Sequence, residues 1–308
     1  DGIRSKISLF FFVPKSAVIE SIDADSIYDV PVLMREEELD VEILKKLKMP
    51  IDAYPDLSRW EAFLKRLKNP KSTVEIGLVG KYIELKDAYK SINEAFIHAG
   101  AENECAVKVR LIHSEHIEIS SAEENLKGLD GILVAPGFGE RGIEGKIESA
   151  KYARENKIPF LGICLGMQCA VIEFSRNVLK YQDAHSTEIN PDTSYPVIDL
   201  MEEQKKVHEK GGTMRLGAYQ CRIKPDTKVY SIYHTQEVLE RHRHRYEFNN
   251  KYLDDFESHG MKAVGIYPDD NLVEIMELKD HPWFVGVQFH PEYKSTVADP
   301  HPLFVAFI

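Results

Sequence analysis

The sequence predicts an α/β protein: an open, mostly parallel twisted sheet with helices on both faces, preceded by a short fragment of a second unit. Three observations carry this. From Lys71 onward, apolar runs of strand length alternate with helical patterns across short loops. Two of those strands end in glycine-rich turns, "APGFGERG" at 135–142 and "GICLGMQ" at 162–168. In open sheets of this kind the carboxyl ends of the strands carry the chemistry. Residues 1–50, by contrast, hold too few elements to bury a core of their own.

Taken in order, "KISLFFFV" (6–13) and "SAVIESI" (16–22) read as strands and "LMREEELDVEILKKLKM" (33–49) as one helix. In residues 51–70, Leu57, Trp60, Phe63, Leu64 and Leu67 recur at helical spacing, and Asn69–Pro70 ends the run, which reads as a linker helix. Residues 71–308 form the main domain. Its first strand is "TVEIGLVG", followed by the helix "LKDAYKSINEAFIHAG", closed by Gly100. "AVKVRLIH" and "GLDGILVAPGF" are the next strands, then the helix "GKIESAKYARENK". "IPFLGIC" is the fourth strand, with a helix from Leu165. The stretches at 211–225, 237–249, 261–279 and 283–293 read mostly as further strands and loops, and the charged run "EEQKKVHEKGG" (202–212) as a mobile lid.

Composition narrows the function. The 308 residues are 43% hydrophobic and 29% charged, as expected of a globular protein with a real core, and the net charge is −11. That acidity argues against gripping nucleic acid or an anionic membrane surface. No apolar run approaches the roughly 20 residues that span a bilayer. The sequence does not begin with Met and has no signal-peptide cleavage site, so it is expected to be an excerpt of a longer chain. The four cysteines lack C-x-x-C spacing, which predicts free thiols, no structural zinc or other metal site, and a cytoplasmic location.

Gly162-Ile163-Cys164-Leu165-Gly166 is G-x-C-x-G, the thiol form of a nucleophile elbow. A turn this sharp excludes side chains two positions either side. A helix N-terminus favours thiolate, and the Leu165 N–H is aimed where an oxyanion would form. The bland alternative is a core cysteine whose glycines serve packing. A thiolate nucleophile needs a base and the base an orienting group. "VGVQFHPEYKS" offers His290 and Glu292, two apart and on one side of an extended segment. His242 and His244 lie in a charged run and are weaker candidates. In "APGFG", Gly137 is the second oxyanion donor, since Pro136 has no N–H. "GLVGKY" lacks P-loop spacing and is rejected as a nucleotide site. In "ERHRHRYEFN", Arg241, Arg243 and Arg245 fall on one side of an extended strand, with His242, His244 and Tyr246 opposite. One of these arginines could clamp a small carboxylate substrate.

"GICLGMQ" followed far downstream by "FHPE" resembles the class I, triad-type glutamine amidotransferases, a flavodoxin-like fold. "VGKYIELKDAYKSINEA", "AHSTEI", "GGTMRLG", "ERHRHRYEFNN" and "HPWFVGVQFHPEYKS" further resemble the CTP synthase family, and residues 1–50 resemble the end of its synthetase domain. The resemblance implies a glutaminase that hydrolyses L-glutamine and passes ammonia to a synthetase domain, which aminates UTP to CTP with ATP and Mg2+. It implies Cys164 as nucleophile, His290 as base and Glu292 as its orienter. Gly137 and Leu165, Gly166, Met167 and Gln168 would line the glutamine site. Glu188 would hold the substrate amino group and Arg245 its carboxylate. GTP would activate through the loop bearing Phe138 and Arg141 and through the "GGTMRLG" lid. It also implies a homotetramer for the full-length enzyme and no cofactor within this chain. Two departures stand out: Ala135-Pro136-Gly137 replaces the usual P-G-G, and the sequence has no Walker loop. The alternatives are the glutaminase of another synthetase, such as GMP synthase, and a non-catalytic glutamine-binding or assembly module.

Overall fold

The chain folds as two units, one ending at Asn69 and one running from Pro70 to Ile308; the computed structural model describes residues 2–52, 55–85, 87–200 and 214–308. The first unit is helical: α1 (Gly2–Phe11), α2 (Val30–Glu36), α3 (Leu39–Leu47) and α4 (Ser58–Lys68), with short 3-10 turns at Lys15–Ala17 and Ile27–Asp29. The strands expected at 6–13 and 16–22 do not form. No other strand is described in this unit to complete a ladder, so the run 2–11 satisfies its N–H and C=O groups within a helix. The single helix expected over 33–49 is two helices, because Glu38 adopts φ +55° between them. Within 51–70 a helix forms, α4, and it packs within this unit. Its Phe63 and Leu64 are buried, and Trp60 Nε1 donates to the Tyr28 carbonyl at 2.7 Å.

The second unit begins with β1 (Ser72–Gly80), α5 (Lys90–Glu102) and β2 (Cys105–His113), followed by α6 (Ser114–Ile119) and α7 (Ala122–Leu126). Next come β3 (Gly131–Val134), α8 (Ile143–Asn156), β4 (Phe160–Ile163) and α9 (Leu165–Asn177). Gly100 does not close α5, which continues to Glu102. It sits where a side chain would press within 2.6 Å of the Cys105 carbonyl oxygen. Beyond α9 lie β5 (His185–Ser186), β6 (Pro196–Asp199), β7 (Arg215–Ile223), α10 (Lys228–Tyr233), β8 (Glu237–His244) and β9 (Glu247–Phe248). The chain ends with α11 (Leu253–Ser258), β10 (Met261–Tyr267), β11 (Leu272–Leu278), β12 (Phe284–Val287) and α12 (Pro302–Phe307). The lid expected at 202–212 lies outside the described residues, as do residues 211–213 of "GGTMRLG".

Nine strands form one sheet in the order β2-β1-β3-β4-β12-β11-β10-β7-β8, and β5-β6-β9 form a small second sheet. The five strands from β2 to β12 are mutually parallel; β11, β10, β7 and β8 extend the sheet antiparallel. Helices cover both faces. On one, Ile147 of α8, Phe174 of α9 and Phe256 of α11 pack with Val134 and Phe160. On the other, Phe96 of α5, Val229 of α10 and Phe304 of α12 pack with Leu78 and Val285. β4 lies between β3 and β12, with Gly162 in register with Val134 on one side and Ile163 with Val287 on the other. Whatever follows these three strands is therefore delivered to one place.

Candidate active site

β4 ends at Ile163, and α9 begins two residues later. Between them Cys164 takes φ +52° and ψ −105°, a conformation that side-chain-bearing residues avoid at a cost of about 1–3 kcal/mol. The flanking glycines make the turn possible. A Cβ at Gly162 would stand 2.7 Å from Gly166 backbone atoms, and one at Gly166 would collide with the Val134 carbonyl. The Cys164 N–H is bonded to the Val287 carbonyl at 2.7 Å, tying the elbow to β12. Cys164 is only 3% exposed, at the mouth of α9.

His290 follows the end of β12, beside Cys164. Its Nδ1 lies 2.8 Å from Glu292 Oε1. The pair does not meet along an extended segment as expected: Pro291–Tyr293 is a 3-10 turn that folds Glu292 back under the ring. Tyr293 stacks on the imidazole at 5.1 Å, and the His290 N–H donates to the Arg241 carbonyl at 2.8 Å. Burial alone would push His290 down. Interactions with the Cys164 sulfur and the Glu292 carboxylate outweigh it and raise the group to about 10. Nε2 is buried and has no hydrogen-bond partner among the described residues.

A small cavity opens beside Cys164, lined by Gly137, Phe138, Gln168, Glu188, Met214, His244, Arg245 and Tyr246. Of the expected binding residues, Gly137, Gln168, Glu188 and Arg245 thus meet around one space. Leu165 and Met167 turn their side chains into the core instead, Met167 against Gly286, and Gly166 backs onto Val134. Arg241 and Arg243 are exposed, but β8 stops at His244 and the following bend turns Arg245 into the cavity, away from its expected row. Burial raises the Glu188 carboxyl, opposed by a bond from the Gly139 N–H and by the charges of Arg245 and Lys81. Phe138 is half exposed at the rim, with the Arg243 guanidinium 6.0 Å from its ring. Arg141 lies 5.4 Å over Tyr82 and donates to the Lys81 carbonyl at 3.2 Å.

Several groups at the site escaped the sequence reading. Gln288, fully buried, donates from Nε2 to the Cys164 sulfur at 3.6 Å and accepts from Gln168 Nε2 at 3.2 Å. Gln168 also donates to the Tyr246 carbonyl at 3.1 Å. His242 and His244 are buried, not surface residues of a charged run, and their rings meet at 2.8 Å. Behind them Arg215 Nη1 pairs with Glu247 at 3.2 Å and Glu274 at 2.8 Å. Burial pushes both histidines far down, so they are neutral scaffolding. His290 alone of the three carries a proton at neutral pH. The signal for the buried pair was present in the strand alternation of "RHRHRY", which puts histidines and arginines on opposite faces.

Comparison with known proteins agrees with this geometry. Residues 84–308 match the family "Glutamine amidotransferase class-I", and residues 1–49 match "CTP synthase N-terminus". The CTP synthase of Flavobacterium johnsoniae is 64% identical over 306 residues, and that of Caldanaerobacter subterraneus is 53% identical over 306. Each alignment covers 99% of this chain, which spans 57% of the length of these relatives. The solved glutaminase domain of Trypanosoma brucei CTPS, with bound acivicin, superposes with a TM-score of 0.72 at 38% identity, covering 76% of this chain and 92% of that one. The match over residues 84–308, on a sheet that brings Cys164, His290 and Glu292 together, places this chain in the class I glutamine amidotransferase family.

Proposed function

We propose that this chain is the glutamine-hydrolysing part of a CTP synthase. The observation that supports it most is the Cys164–His290–Glu292 set at the ends of adjacent parallel strands, beside a cavity holding one carboxylate and one guanidinium. Glu188 and Arg245 suit the ammonium and carboxylate of an amino acid, leaving its side-chain amide toward Cys164. The thiolate attacks the carboxamide carbon, and the oxygen gathers charge between the N–H groups of Leu165 and Gly137. His290, protonated and held by Glu292, gives its proton to the departing ammonia. Water, deprotonated by His290, then opens the thioester and releases glutamate. In the longer protein the ammonia would pass to a synthetase domain that uses ATP and Mg2+ to aminate UTP. The ring of Phe138 and the cations Arg141 and Arg243 suit a purine nucleotide, in keeping with activation by GTP. A cytoplasmic homotetramer completes the proposal. Among the described residues no helix is long and apolar enough to cross a membrane.

The test is Cys164→Ala, which should abolish ammonia release from glutamine while leaving the unfolding temperature near that of the parent. Retained hydrolysis would refute the assignment. A glutamine-mimicking diazoketone should label Cys164 stoichiometrically; an unlabelled thiol would favour a non-catalytic binding module.

A further inference from the structure

The mechanism above leaves unused a lysine that is completely buried. Lys146, in the first turns of α8, donates its ammonium to the Ala135 carbonyl at 2.7 Å and lies 3.5 Å from the Pro136 carbonyl. Burying an ammonium costs several kcal/mol unless acceptors are supplied, so its presence behind this turn needs a reason. Lys81, just past the end of β1, donates to the Phe138 carbonyl. A Cβ placed on Gly137 would lie 3.6 Å from Lys146 Nζ and 3.7 Å from Lys81 Cε, so both lysines reach this residue.

The donors of the turn can be counted. The Ala135 N–H is bonded to the Val79 carbonyl at 3.0 Å, and Pro136 has none. The Gly139 N–H favours the charged form of the Glu188 carboxyl, which lines the cavity. Gly137 and Phe138 line the cavity beside Cys164. In a trans peptide the C=O and the next N–H point in opposite directions. In the Phe138–Gly139 peptide Lys81 takes the carbonyl, and the N–H acts on Glu188, a residue of the cavity wall. The Pro136–Gly137 peptide stands in the same relation to Lys146.

We infer that Lys146 is a positioning residue, whose ammonium holds the Pro136–Gly137 peptide with the Gly137 N–H directed at the oxyanion formed on Cys164. This rests on the proposed role of Cys164 as nucleophile. The hold depends on the charge. Burial lowers Lys146 to about 8, with Lys81 adding to the fall and Cys169 and Cys164 opposing it. Cys169 is itself pushed up to about 12 by its burial. As the pH rises through about 8 the ammonium is lost, and turnover should fall with it.

Lys146→Met keeps the length and removes the charge. With L-glutamine as substrate, kcat should drop about 10- to 100-fold, below the loss from deleting an oxyanion donor outright, with KM within about twofold. The decline of kcat near pH 8 in the parent should be absent from the variant. An unchanged kcat, a change confined to KM, or an unaltered pH profile would overturn the inference. If the variant does not fold, the parent decides: a flat kcat between pH 7 and 9 overturns it. An inactive Cys164→Ala beside a fully active Lys146→Met would sink this inference alone, whereas an active Cys164→Ala would sink the reading beneath it.

Discussion

His290 is where opposing influences on a single residue are balanced. Desolvation works against its charge, and Cys164 and Glu292 work for it more strongly, so the folded group titrates near 10. An unfolded histidine titrates near 6.5. Because the folded value is the higher one, this stabilisation is fully present below about 6.5 and is lost as the pH rises through about 10. Glu292→Gln keeps the shape and removes the carboxylate. It should lower glutamine turnover by on the order of 10²- to 10⁴-fold and move the upper inflection of the rate profile, the one set by His290 near 10 and distinct from that of Lys146, to lower pH. A pH–rate series on parent and variant measures both; an inflection that does not move would show that Glu292 leaves the imidazole unaffected. Cys164, His290 and Glu292 were picked out in the sequence by their short motifs, although a 3-10 turn, and not the extended segment their spacing suggested, joins the last two. Gln288 and Lys146 were not, since nothing local marks a glutamine or lysine that will meet a distant sulfur or carbonyl. His244 was discounted for its charged neighbours, although those neighbours face the other way.

At the scale of elements, the site depends on how abruptly β4 becomes α9. Gly166 backs directly onto the Val134 carbonyl, a backbone atom that no side-chain rotation can clear. Gly166→Ala should therefore cost about 3 kcal/mol or more, at the upper end of overpacking penalties, and displace Cys164. Gly260→Ala is the control. It carries φ +99° with nothing within 4 Å of a new Cβ, so only backbone strain of about 1–2 kcal/mol is expected. Equal losses in denaturant titrations of the two variants would show that strain, not contact with Val134, governs the elbow. The four strands from β1 to β4 and the helices α5, α8 and α9 were readable because apolar runs and amphipathic patterns alternate with clear breaks; the short helices α6 and α7 were not read. Gly100 shows the limit of that reading. A glycine near a helix end suggests a cap, but here it makes room for the Cys105 carbonyl. The run at 2–11 shows another, because a short apolar stretch is compatible with strand or helix until a ladder partner exists.

The whole molecule divides its tasks unequally between the two units. Both large hydrophobic clusters draw only on residues from Val74 onward, and the cavity and the groups around it fall between Lys81 and Glu292. Among the described residues, the second unit therefore holds both large cores and the candidate site. The first does not: Leu9, Phe10 and Phe12 of the run around α1 are 77%, 78% and 93% exposed. An apolar patch of that kind marks a surface that is covered in the working protein or aggregates when bare. A fragment of residues 70–308 should accordingly unfold in one cooperative transition, and a glutamine-mimicking diazoketone should label its Cys164 within about threefold of the rate in the longer chain, a difference of under 1 kcal/mol. A fragment of residues 1–69 should bind a hydrophobic dye and self-associate. Loss of labelling in the folded 70–308 fragment would show that the first unit shapes the glutamine site, and the self-contained reading of the second unit would have to be abandoned.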